Sequence, residues 1–157
     1  MIQRVQTIWL LLASAFILAL FLFPYAQFTD NSGMAHALKV NGQFVNEEGV
    51  LVKKGVSYLK LILALVLGLM PLYIIVQFKN LALQRRLIGV LAILLLAYLA
   101  WLVFTVMTAI EALGLAFAVS QLGVGLVLLL IALVFLWMAA QGVRKDIRLL
   151  KSADRLR

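Results

Sequence analysis

Long apolar blocks and short polar stretches alternate along the chain, and four blocks dominate it, at about residues 8–23, 58–78, 87–107 and 119–140. Each approaches or reaches the ~20 residues that carry a helix across ~30 Å of hydrocarbon. Backbone polar groups in lipid must be satisfied within the segment, so helices are the spanning form expected. The pattern predicts an all-α membrane protein, one polytopic domain over residues 1–157, with four antiparallel transmembrane helices. The first block is expected to be a retained helix and not a signal peptide. Ala35–His36–Ala37, which has the small-residue spacing of a cleavage site, lies too far beyond it. The stretch from Lys79 to Arg86 is short and basic, making the second and third helices antiparallel neighbours. Residues 108–122 are apolar enough to extend both flanking helices, with Gly114 as the break.

The outer loop, 24–57, is the one polar segment long enough to fold. Asn41–Gly42 sits between short apolar-rich runs, a hairpin signal because both residues tolerate positive φ. A second turn at Asn46–Glu47–Glu48–Gly49 and a strand at Val50–Leu51–Val52 would make a small β-hairpin or meander over the helix ends. Such a unit is marginal alone and needs the bundle beneath it.

Composition strengthens the membrane reading. At 157 residues and 66% hydrophobic, the chain carries more apolar surface than a soluble interior of that size can hold. Charge then sets the orientation. Of fourteen Lys and Arg, ten fall on one side of the implied membrane: Arg4, Lys79, Arg85, Arg86, Arg144, Lys145, Arg148, Lys151, Arg155 and Arg157. Lys39, Lys53, Lys54 and Lys60 fall on the other, offset by Asp30, Glu47, Glu48 and Glu111. Bases gather on the cytoplasmic side, so both termini are expected there. The net charge of +8 is placed for anionic lipid headgroups and not as a basic face for nucleic acid.

The ends of the chain carry a likeness as a pair. Met1–Ile2–Gln3–Arg4–Val5–Gln6–Thr7 leading into Leu10–Leu11–Leu12–Ala13, with Arg144–Lys145–Asp146 and Lys151–Ser152–Ala153–Asp154–Arg155–Leu156–Arg157 at the close, resembles an uncharacterised family of the Bacteroidota, domain of unknown function 4293. The resemblance implies inner-membrane placement and four spans, and no activity.

Candidate chemistry is sparse. The chain has no cysteine, which removes disulfides, thiol relays and thiolate metal sites. His36 has no second nitrogen ligand and reads as a solvated loop residue. Glu47 and Glu48 are adjacent, so in a strand they face opposite ways. Glu111, the one acid near an apolar block, lies at the outer helix end and is expected to be an interfacial acid. Its rival role is ion handling. Pro71, three residues after Gly68, marks a bend or hinge. Ala64 with Gly68, and Ala15 with Ala19, have spacings that permit close helix contact. Lys60 is placed to snorkel. Trp9, Trp137, Tyr25 and Tyr58 are expected as interface anchors, and Tyr73, Tyr98 and Trp101 on inward faces. Arg144, Arg148, Lys151 and Arg155 fall at helical stripe spacing beside Val143, Ile147 and Leu150, and with Lys145 and Arg157 they form a candidate surface for headgroups or a partner.

No nucleophile–base pair, phosphate loop or cofactor motif is evident, so neither an enzyme nor a cofactor is expected. The reading is a non-catalytic accessory or scaffold subunit contacting a membrane or cytoplasmic protein through the outer loop and the basic C-terminal helix. The alternative is a small transporter or channel formed by oligomerisation around Glu111, Ser120, Gln121 and Pro71. A homo-oligomer is compatible with either.

Overall fold

The computed structural model describes residues 3–30, 33–47, 50–78 and 80–154. Four helices, α1 (Gln3–Ala19), α2 (Tyr58–Val76), α3 (Leu81–Ala112) and α4 (Val124–Asp154), form a bundle in which each packs on its chain neighbours and α1 closes the ring on α4. Between α1 and α2 lie four strands, β1 (Ala26–Thr29), β2 (Ala35–Lys39), β3 (Gly42–Glu47) and β4 (Val50–Gly55), paired antiparallel in chain order.

Each helix buries a narrow stripe. On α3 it is Gln84, Ile88, Leu91, Leu95, Tyr98, Leu102, Val106 and Ile110, a spacing of three and four that keeps one face inward. The other faces of α2, α3 and α4 are apolar as well: within their most apolar stretches only 28%, 28% and 33% of residues are buried. These three helices are long and apolar enough to cross a membrane. The apolar part of α1, Val5–Ala19, is shorter.

Helix boundaries differ from the expected ones for identifiable reasons. The first helix ends at Ala19, because Leu20, Phe21 and Leu22 bond back three residues (3.2, 3.1 and 2.9 Å), tightening the last turn before Pro24 excludes further helix. The third begins at Leu81, since the Asn80 side chain caps it by accepting from the Leu83 amide at 3.1 Å. Arg85 and Arg86 are therefore helical residues. Gly114 is the break anticipated, at φ 67°. The Leu115 amide bonds the Ile110 carbonyl and the Gly114 amide bonds that of Glu111, at 3.1 and 3.0 Å, which satisfies the carbonyls left over at the helix end. A 3₁₀ turn, Val119–Gln121, precedes α4, which runs on through the expected tail to Asp154.

The sheet is larger than the expected hairpin or three-stranded meander. Its first strand, β1, pairs with β2 from Ala26↔Leu38 to Thr29↔Ala35, and alternation buries Ala26 and Phe28 while exposing Gln27 and Thr29. The β2–β3 turn is shifted one residue from Asn41–Gly42: Lys39 pairs with Gly42, so Val40 and Asn41 occupy the bend. Val40 is fully buried, and its packing sets the register. Gly42 follows at φ 153°, where a β-carbon would collide with the Gly55 carbonyl oxygen. Of the second expected turn, Glu48 and Gly49 lie outside the described residues, and Glu47↔Val50 pair across it.

Candidate functional site

At the sheet end of the bundle, three aromatic and basic residues from distant parts of the chain converge. The segment Pro24–Ala26 is pinned to the start of α4. The Gly125 amide donates to the Pro24 carbonyl and the Gly123 amide to that of Tyr25, both at 2.9 Å, and Ala26 bridges to Leu122. Any β-carbon on Gly123 would press on the backbone of Tyr25 and Ala26. The Tyr25 amide also bonds the Leu38 carbonyl at 2.9 Å. These bonds hold the Tyr25 ring beneath the sheet, 1% exposed, and burial pushes its phenol up to about 12.

Lys60, the third residue of α2, lies above this ring. Its Nζ donates to the Tyr25 hydroxyl at 3.4 Å and stands 5.8 Å from the ring centroid. The Tyr98 hydroxyl donates to the Lys60 carbonyl at 3.0 Å, tying α3 to the same turn. The Lys60 side chain is only 9% exposed, and no carboxylate pairs with it among the described residues. A cation–π contact contributes about 0.5–2 kcal/mol; the stem of Lys60 is enclosed while the ammonium borders a cavity. The Tyr25 hydroxyl and ring are its protein partners among the described residues. A cavity of about 180 Å³ opens beside it, lined by Tyr25, Lys39, Gln43, Ser57 and Lys60 together with Gly42, Gly55 and Val56. Ser57 is the N-cap of α2 but makes no side-chain capping bond.

The opposite end holds the expected basic surface. Arg144, Lys145 and Arg148 are exposed on α4 while Val143 and Asp146 are buried on its other side. Asp146 accepts a hydrogen bond from the Gln6 side-chain amide of α1, and Gly142 leaves room for Gln6 at the crossing. A groove of about 460 Å³ runs beside this contact between Trp9 and Trp137, with Lys145 on its wall. The Lys151 side chain, Arg155 and Arg157 lie outside the described residues. Glu111 is exposed in the last turn of α3, and Pro71 is buried inside α2 one turn beyond Gly68. The two are not brought together. Gln121 instead ties the α3–α4 connection, bonding the Ala118 amide and the Ala116 carbonyl at 3.0 and 3.2 Å.

The matching model is that of the domain of unknown function DUF4293, over residues 2–156. The chain belongs to this family. No curated protein and no solved structure matches this DUF4293 chain.

Sequence reasoning misplaced several members of the sheet-end cluster. Lys60 is enclosed by protein where a snorkelling residue was expected, and Tyr25 is buried and not an interface anchor. Tyr98 does face inward, but Tyr73 is 55% exposed, with its hydroxyl accepting from Gln77 at 3.2 Å. His36 is half-buried, stacked on Phe28 at 5.4 Å. The available signal was a lysine two residues into an apolar run. Its partners lie 35 and 38 positions away, beyond the reach of any local pattern.

Proposed function

We propose that this DUF4293 protein is a non-catalytic integral protein of the bacterial inner membrane, in the Bacteroidota, acting as an accessory or scaffold subunit. Its N- and C-termini lie in the cytoplasm, and the sheet faces outward. The distribution of Lys and Arg supports the orientation. The bundle interior supports the non-catalytic role: its buried stripes are mostly Leu, Ile, Val and Ala, and the buried Ser14 hydroxyl between its ends is spent on the Gly68 carbonyl at 2.7 Å. One observation carries the reading. Beyond the apolar part of α4 the helix continues unbroken, with Arg144, Lys145 and Arg148 displayed on one face and Val143 and Asp146 seated against the bundle on the other. Topology alone would need basic residues and not a braced helix that presents them. The face suits an acidic cytoplasmic surface on a partner, with anionic headgroups beside it.

A photo-crosslinking residue at Arg148, with the protein at native expression, tests this. A defined adduct with a second protein is expected, lost when Arg144 and Lys145 are both changed to Glu. Adducts to lipid or to itself alone would sink the scaffold reading. Because the chain has no cysteine, Gln27→Cys and Arg148→Cys test orientation cleanly. An impermeant maleimide on spheroplasts should label only the first.

A further inference from the structure

The cavity at the sheet end has a composition the scaffold role does not use. We infer that it is a binding site for a phosphate-class oxyanion, held by Lys60 beneath the four-stranded sheet with Lys39 at the rim. Four observations converge on this ligand. Lys60 is nine-tenths buried yet faces the cavity with no carboxylate partner among the described residues, and a hydrogen bond to one phenol occupies only one of its three donors. Lys39 lines the same cavity from β2 with no acid beside it; its ammonium rests 5.5 Å from the Phe44 ring, so it adds positive charge at the rim. Ser57, also on the wall, leaves its hydroxyl unspent in capping α2. The first amides of that helix add a positive dipole end at the same place. A two-cation, hydroxyl-bearing pocket matches the charge and the several acceptor oxygens of a phosphate better than a single carboxylate.

The walls are built to keep this shape. Tyr25 forms the floor through backbone bonds to α4 and β2, Tyr98 holds the Lys60 turn from α3, and Gly42 admits the Gly55 carbonyl at the rim where any side chain would collide. The cavity is open on one side, so the oxyanion can arrive as a free ion or as the phosphate of a lipid headgroup lying against α2.

The test uses the full-length protein in detergent and in nanodiscs. In the free-ion arm, thermal unfolding is followed against inorganic phosphate and against chloride at equal ionic strength. In the lipid arm, native mass spectrometry counts phosphatidylglycerol retained after delipidation. A phosphate-specific rise in midpoint identifies a free oxyanion; one tightly held lipid without that rise identifies a headgroup. Whichever probe binds, Lys60→Met should weaken it about tenfold or more, the scale of one charge-assisted contact. Lys39→Gln should weaken it several-fold, and Arg86→Gln, exposed on α3 and outside the cavity lining, should not. If Lys60→Met fails to fold, Lys39→Gln decides, since that residue sits half-exposed on a strand. No response to either probe in the unmutated protein, or equal responses in Lys39→Gln and Arg86→Gln, would overturn the assignment.

Discussion

Replacing Gln6 with Met isolates the contact that joins the two ends of the chain. Gln6 is 3% exposed and Asp146 is 8% exposed, 140 positions apart, and the Gln6 amide donates to one carboxyl oxygen while the other has no donor among the described residues. Methionine keeps the length and slenderness of the side chain, so it fits beside Gly142 with little change in packing. The carboxyl it abandons stays buried without a donor. That costs about 1–3 kcal/mol for a polar group, and about 3–5 kcal/mol where a charge loses its compensation. For a chain of this size each kcal/mol lowers the midpoint by about 2–4 °C, so a fall of roughly 2–20 °C is expected, in the upper half of that range where the carboxyl stays charged. Gln6→Met combined with Asp146→Leu removes both polar groups and should recover most of the loss, because a matched apolar pair is close to neutral. Tryptophan fluorescence during heating in detergent is a suitable assay, since Trp9 stacks on Phe135 of α4 at 5.7 Å. A single variant as stable as the parent would show that the bond carries nothing. A double variant as weak as the single would show that the cost lies in packing.

Two further outcomes test the sheet end. In Gly123→Ala the new carbon would lie 2.8 Å from the Tyr25 carbonyl carbon and 2.9 Å from the Ala26 nitrogen; both are backbone, so a loss of about 1–3 kcal/mol is expected. Gly89→Ala meets nothing within 4 Å and should gain up to about 1 kcal/mol from helix propensity; equal thermal midpoints for the two variants would remove the steric argument. Tyr25 should ionise only near pH 12, against about 10 for a free phenol. Its folded-state pKa is raised, so its contribution is complete below pH 10 and lost as pH climbs from 10 through 12, amounting to about 2–3 kcal/mol. The tyrosinate absorbance of the parent minus that of Tyr25→Phe should rise near pH 12, and a rise near pH 10 would contradict its burial.

The helices and the hairpin were legible because each is written in neighbouring residues. A lipid-length helix needs a continuous apolar run, and a tight turn needs residues such as Asn and Gly at the bend. The turn nonetheless slipped by one position, since burial of Val40 is a long-range preference that local turn chemistry does not contain. The strand β1 was invisible for a related reason: Ala-Gln-Phe-Thr is too short to show periodicity, and it is a strand because Pro24 and Tyr25 are bonded to α4. Asp146 read as one charge in a basic tail, yet it is buried because α1 brings Gln6 to it. In each of these cases the deciding partner lies far along the sequence.

The lengths of the helices show why the sheet belongs to the bundle and is no appended loop. The 17 residues of α1 rise about 25 Å and the 32 of α3 about 48 Å, so two members of one bundle differ by several turns. At the sheet end α1 stops first, and the space above it is taken by Pro24–Ala26, whose carbonyls accept the amides of Gly123 and Gly125 at the start of α4. The segment leading into the sheet thus supplies acceptors for amides at the start of α4 that lack intrahelical partners. It also roofs over the third residue of α2, and that is how a lysine at a helix entrance becomes nine-tenths buried. Shortening of one helix, insertion of a sheet and enclosure of Lys60 are therefore one structural solution. The buried position of Lys60 follows from the same geometry that completes the fold.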